Sequence, residues 1–270
     1  MAAALASRRH PEPMQSTIVD DGGAPASSKA PRIDPEVLAR HRQTHGTAFT
    51  QPPKPMEPRA DKPKHAVICG AVPEAELATA FEQGVLPYYA EMQLPSYSRY
   101  EAWTQSSYIT THPKWTPQPP INQDMFKHLA HVQERCRRIF AQWYADLHGL
   151  EQLEVITLNA FVTKYVASEG KNHFGKHVDG AKVMGSLVLA LPTNEENDWA
   201  GMLVWDGPRG RGPLGRDPRP EHHYVMQPGD ALVLDRIVWH HGLPITRGAR
   251  YVIVNFYEVK WIKLRGTEGL

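Results

Sequence analysis

The chain has 270 residues, 41% hydrophobic and 22% charged, which is enough for one domain with a sizeable core. A net charge of +1 gives no global attraction to nucleic acid or to an acidic membrane surface. With only two cysteines, Cys69 and Cys136, a Cys-rich zinc site is excluded and a disulfide scaffold is disfavoured, which suits a reducing compartment.

Residues 1–62 are rich in Pro, Ala, Ser and charge, and read as a disordered or loosely attached arm. Within it, Asp34–Arg42 predicts a short helix, with Asp34 as cap and Pro35 at the first turn. No apolar run is long enough to span a bilayer. The apolar stretch of Met1–Arg9 is too short for a secretory signal, and Asp20 and Asp21 disfavour an organelle transit peptide without excluding it. The expected location is therefore soluble and cytoplasmic.

From residue 63 to 270 the composition is that of a single globular domain, with helical support over 73–148 and a strand-rich core over 153–260. Ala66–Val72 predicts a short strand. Pro73–Met92 predicts a helix that buries Leu77, Phe81 and Leu86 and is interrupted near Gly84 and Pro87. Leu94–Ile121 is aromatic and aperiodic, with Tyr97, Tyr100, Trp103, Tyr108 and Trp115, and fits either a lid or an irregular wrap. Asn122–His148 is the clearest helix. Met125, Leu129, Val132, Cys136, Ile139, Trp143 and Leu147 form its apolar stripe, with Asn122 and Gly149 as caps.

After Gly149 the pattern changes to eight strands: Val155–Tyr165, His177–Asp179, Val183–Leu191, Met202–Trp205, His223–Gln227, Ala231–Asp235, Val238–Leu243 and Arg250–Lys260. Helices followed by strands predict an α+β domain, with helices buttressing a β-sandwich or small barrel. Gly207–Pro220 carries Arg209, Arg211, Arg216 and Arg219 and fits a solvated loop or a contact to an anionic group.

His177-Val178-Asp179, with His240 far downstream, is the chemically informative motif. Residues i and i+2 of a strand share a face, so His177 and Asp179 can grip one ion. Two imidazoles and one carboxylate suit an octahedral Fe(II) and leave one face open. Adjacent strand residues face opposite ways, so only one of His240 and His241 can join them.

These residues resemble the Fe(II)/2-oxoglutarate-dependent oxygenases, in particular the prolyl-4-hydroxylase-like branch. The resemblance rests on His177, Asp179, His240, Pro244, Gly248 and Arg250, with Gly229-Asp230 and Gly201-Met-Leu in support, and spans about Val155–Tyr257. Ala200 departs from the pattern, since the family often has a second Gly there. The spacing to Pro244 and Arg250 selects His240 over His241.

The resemblance implies a double-stranded β-helix, or jelly roll, of eight core strands. It implies iron held by His177, Asp179 and His240, and 2-oxoglutarate chelating that iron with its far carboxylate on Arg250. An Arg supplies a charge-assisted and potentially bidentate clamp there. It further implies a contact from Tyr165 to 2-oxoglutarate and, with less support, a pocket position for Asn159. Val252 stands where many members have a Ser hydroxyl, which Tyr165 or Ser186 can replace.

The implied cofactors are Fe(II), 2-oxoglutarate and O2, with ascorbate as a candidate reductant. Related halogenases lack the carboxylate, so Asp179 favours hydroxylation, desaturation or cyclisation over halogenation. The expected activity is oxidation of an unactivated C–H bond in a small molecule, with release of succinate and CO2. The alternatives are a protein hydroxylase and a non-catalytic jelly-roll binding protein. The nucleic-acid demethylase pattern Arg-x-Asn-x-Thr-x-Arg is missing, because Arg250 is followed by Tyr-Val-Ile-Val-Asn255.

Overall fold

A computed structural model describes residues 58–91, 106–113, 120–167, 174–179, 183–193, 196–205 and 221–264. The expected helix Asp34–Arg42, the arm over 1–57 and the Arg-bearing loop Gly207–Pro220 lie outside the described residues.

In chain order the elements are β1 (His65–Ile68), α1 (Glu74–Ala80), a π-helical turn (Phe81–Val85), α2 (Leu86–Glu91), β2 (Ser106–Thr111), α3 (Gln123–His148), β3 (Leu150–Val166), β4 (Phe174–His177), β5 (Gly185–Ala190), β6 (Met202–Trp205), β7 (Glu221–Tyr224), β8 (Ala231–Asp235), β9 (Trp239–Gly242) and β10 (Ala249–Leu264). Two antiparallel sheets result, ordered β1-β8-β5-β10-β3-β2 and β4-β9-β6-β7. Strands β3–β10 pass from one sheet to the other at every step except between β6 and β7, which pair within one sheet, and this is the double-stranded β-helix expected from the sequence. No helix among the described residues is long and apolar enough to cross a membrane.

The expected helix Pro73–Met92 is broken where Gly84 sits in the π-helical turn. A side chain there would run into His128 of α3, so Gly84 lets the two helices touch. Of the segment Leu94–Ile121, Ser106–Thr111 is the edge strand β2, whereas Tyr97, Tyr100, Trp103 and Trp115 lie outside the described residues. Tyr108 of β2 packs on Phe161 of β3, with ring centroids 5.3 Å apart. Alternation failed as a signal there because Ser, Thr and Tyr give no contrast between faces.

Helix α3 is the main support. The Asn122 side chain accepts from the Met125 N–H at 3.0 Å, and Gly149 ends the helix in the left-handed region at φ 67°, as expected. The buried stripe runs through Met125, Leu129, Val132, Cys136, Phe140, Tyr144 and Leu147. Phe140 and Tyr144 thus take the central places expected for Ile139 and Trp143, which sit at the margin. A helix turns by 3.6 residues, so the stripe drifts by one position along its 26-residue length. Phe140 stacks on Tyr257 of β10 at 4.4 Å. At the helix end, buried His148 meets buried Asp235 of β8 at 3.0 Å.

Strand β5 is buried on both faces. Leu187 and Leu189 pack into the core shared with α3, whereas Val188 and Ala190 pack between the sheets. Strands β3 and β10 pair along almost their whole length through three register shifts, which carries both beyond their expected ends. Asn255 on β10 accepts from Gln133 of α3 at 3.3 Å and donates to the Leu187 carbonyl at 3.4 Å. It therefore serves packing toward the helix.

Candidate active site

The space between the sheets forms a cavity lined by β3, β5 and β10 on one side and β4, β6 and β9 on the other. Among the described residues, His177, Asp179 and His240 form the only cluster able to offer three metal ligands, with donor atoms within 4.8 Å of one another. His177 and His240 are direct cross-strand partners on β4 and β9, and their ring centroids lie 4.1 Å apart. Asp179 Oδ1 lies 3.9 Å from His177 Nε2 and 3.8 Å from His240 Nε2.

One part of the geometry departs from expectation. The strand ends at His177, so Asp179 does not reach the site by alternation along a strand. The chain leaves the ladder after the His177–His240 pair, and the carboxylate still turns into the cavity, where its side chain is 5% exposed.

Burial sets the charge states. It pushes His240 down to about 4, against a smaller opposing effect of its hydrogen bond to the Val238 carbonyl. That bond runs from Nδ1 at 3.3 Å, which makes Nδ1 the protonated nitrogen and leaves the Nε2 lone pair toward Asp179 and His177. Burial also raises the Asp179 carboxyl, while the Ser186 hydroxyl and His177 oppose the rise. The Ser186 hydroxyl is close enough to act on Asp179 but makes no well-formed hydrogen bond. A buried carboxyl facing two nitrogen donors is an arrangement that a divalent metal would satisfy.

Arg250 and Tyr165 are direct partners on β10 and β3, and both line the cavity. The Arg250 guanidinium lies 4.6 Å from the Tyr165 ring centre. Arg250 is only 9% exposed, and its Nη1 has no hydrogen-bond partner among the described residues. Burial pulls Arg250 down to about 10, with Tyr165 opposing, and burial raises the Tyr165 phenol. An unpaired buried N–H on a cation costs several kcal/mol, about 1–3 or more, and a carboxylate entering the cavity would relieve it.

Ser186, one of the two hydroxyls expected to replace the one missing at Val252, also lines the cavity, as does Tyr165. Asn159 is buried but is not a cavity residue. His241 pairs with Leu203 and is not in the cluster, so register selects His240. His222 and His223 lie on β7 and are not in the cluster. Trp199 and Thr163 went unnoticed in the sequence. Thr163 could have been found by its two-residue spacing from Tyr165, and Trp199 by its place beside Gly201-Met-Leu.

Two glycines of the motif have local reasons. Gly248 has φ 71°, and a side chain there would collide with the Glu196 carbonyl. Gly201 has φ 102°, and a side chain there would collide with the Tyr224 carbonyl.

No family model matches the sequence, and no curated protein matches it. Solved structures do match. A 2OG-Fe(II) oxygenase family oxidoreductase from Burkholderia pseudomallei has a TM-score of 0.50 and 17% identity, over 72% of this chain and 84% of its own. A prolyl hydroxylase from Trichoplax adhaerens, solved with a hypoxia inducible factor peptide fragment, has a TM-score of 0.50 and 12% identity, over 72% of this chain and 83% of its own. The chain thus has the fold of the 2OG-Fe(II) oxygenases.

Proposed function

We propose that the domain over residues 63–270 is an Fe(II)/2-oxoglutarate-dependent dioxygenase that oxidises an unactivated C–H bond of a small molecule, most simply by hydroxylation. The observation that carries this reading is the pairing of two unmet demands in one cavity. Three inward donors converge at one point, and Nη1 of the buried Arg250 guanidinium lacks a hydrogen-bond partner among the described residues at another. Iron would answer the first demand and a dicarboxylic 2-oxo acid the second. When bound, the iron and 2-oxoglutarate supply the oxidising equivalent from O2, with succinate and CO2 as co-products.

The residues of the chain have separate tasks in this reading. His177, Asp179 and His240 would hold the metal. Val238 fixes the His240 tautomer through its carbonyl. Arg250 orients the co-substrate through its far carboxylate, with Tyr165 beside it. Phe161, Val188, Met202, Val254 and Phe256 give the cavity an apolar wall that excludes water from the reacting bond. A largely apolar cavity of about 60 Å³ favours a small substrate group, such as that of an amino acid or natural-product intermediate. The peptide in the Trichoplax structure keeps a protein hydroxylase as the second reading.

The experiment is succinate release from 2-oxoglutarate with Fe(II), ascorbate and air, run against a pool of small metabolites and a pool of proline-containing peptides. Stimulation by the metabolite pool supports the proposal, and stimulation by peptides alone supports the second reading. A protein that binds neither Fe(II) nor 2-oxoglutarate is a jelly-roll binder of another kind.

A further inference from the structure

Trp199 belongs to none of the roles assigned above. It lies outside the strands, yet the Arg250 guanidinium carbon sits 3.5 Å from its ring centre, closer than to Tyr165 at 4.6 Å. The guanidinium thus has aromatic rings of two different elements against it. A second cavity of about 340 Å³ lies next to the first, which is about 60 Å³. Arg250 and Val252 line both, whereas Trp199 and Glu196 line only the outer one. Long and flexible, the Arg250 side chain therefore has somewhere else to go. The outer cavity is roomier, and the Glu196 carboxylate at its edge is exposed and paired with Arg247 at 3.2 Å.

The backbone around Trp199 is fastened firmly. Its indole N–H donates to the Leu243 carbonyl at 3.1 Å, and Trp199 bridges to Ile245. Ala200 N–H donates to Pro244 at 3.3 Å, and Leu243 N–H donates to Gly201 at 2.9 Å. On the other side, the Asp198 carboxylate accepts from the Thr246 hydroxyl at 2.8 Å and from its N–H at 3.2 Å. These bonds tie the Trp199 segment to the turn that joins the His240 strand to the Arg250 strand. The ring is therefore a fixed wall. A fixed aromatic face attracts a desolvated guanidinium without neutralising it, so the N–H groups stay available for an incoming anion.

We infer that Trp199 is a positioning residue for Arg250: it holds the guanidinium beside the inner cavity and keeps it from turning into the outer one. The inference rests on the proposed binding of 2-oxoglutarate by Arg250. Without the ring, Arg250 would divide its time between the two cavities, and co-substrate would bind only the inward fraction.

The test compares Trp199→Leu, which keeps apolar bulk but loses the aromatic face, with Trp199→Phe, which keeps a face. Titration of 2-oxoglutarate into the Mn(II)-loaded protein should show about tenfold weaker binding for Trp199→Leu and near wild-type binding for Trp199→Phe. In turnover, KM for 2-oxoglutarate should rise by the same factor, with kcat within about twofold. Equal affinity in wild type and Trp199→Leu overturns the inference. So does a loss of kcat with KM unchanged.

A second measurement depends on neither metal nor co-substrate. The Arg250 Nε–H resonance, assigned by its loss in Arg250→Lys, should be shifted upfield by the ring current in wild type and in Trp199→Phe, and should return toward an ordinary position in Trp199→Leu. An unshifted resonance in wild type overturns the inference even if Trp199→Leu does not fold. If wild type fails to bind 2-oxoglutarate but shows the shifted resonance, the proposed co-substrate falls and the positioning of Arg250 by Trp199 stands.

Discussion

His177 and His240 face each other as direct cross-strand partners on β4 and β9, so the register of one ladder decides which imidazoles meet. A slip of one residue would replace His240 by His241 and turn the donor away from Asp179. His240→Ala should therefore lower 2-oxoglutarate consumption more than about 100-fold, beyond the cost of an outer-shell partner. His241→Ala should leave it within about threefold, since the next residue faces the other side. Steady-state turnover of the two variants, with folding checked by circular dichroism, decides the register.

Asp179 carries a tension between stability and binding. Its carboxyl is buried and raised, so the charged form costs folding energy when no cation is present. Asp179→Asn should leave the metal-free protein no less stable than wild type in urea denaturation. Mn(II) at about 100 times its Kd should stabilise wild type by about 2.7 kcal/mol and should not stabilise the variant.

His240 gives the metal-free protein a pH dependence of known sign. Its folded value, about 4, lies below the ordinary imidazole value of 6.5. Between those limits the unfolded chain binds a proton that the folded chain does not. Stability from this group is therefore present above pH 6.5 and is lost as pH falls toward 4, by up to about 3 kcal/mol. Urea midpoints at pH 7 and pH 5 should differ more for wild type than for His240→Gln.

Arg250→Lys keeps the charge but loses the planar fork. It should raise KM for 2-oxoglutarate about 10- to 100-fold, the range expected for charge-assisted hydrogen bonds worth 1.5–3 kcal/mol. Steady-state kinetics with 2-oxoglutarate as the varied reactant reads this directly.

Away from the site, Phe140→Ala removes a fully buried ring stacked between α3 and β10. It should lower the unfolding free energy by about 3–5 kcal/mol, measured by urea denaturation, while KM for 2-oxoglutarate stays unchanged.

The strands of the barrel were readable because their residues alternate or run apolar, and because Gly and Pro mark their ends. The stripe of α3 was readable only up to its drift. Ile139 and Phe140 both satisfy the local spacing, and only the sheet beneath chooses between them. The cluster of His177, Asp179 and His240 was legible from the His-x-Asp spacing together with the family resemblance that chose His240 over His241, although Asp179 arrives from beyond a strand end. The contact of Trp199 with Arg250 was not legible, although the place of Trp199 beside Gly201-Met-Leu was: the two residues are 51 positions apart, and no periodicity links them. Arg250 showed that a carboxylate could bind, but not what keeps the guanidinium in place.

The most direct test of the central claim is 2-oxoglutarate consumption in air by protein loaded anaerobically with Fe(II), compared between wild type and His177→Ala. Wild type should convert 2-oxoglutarate to succinate in an Fe(II)-dependent manner, and His177→Ala should not. Consumption that is equal in the two proteins, or that persists without Fe(II), would contradict it.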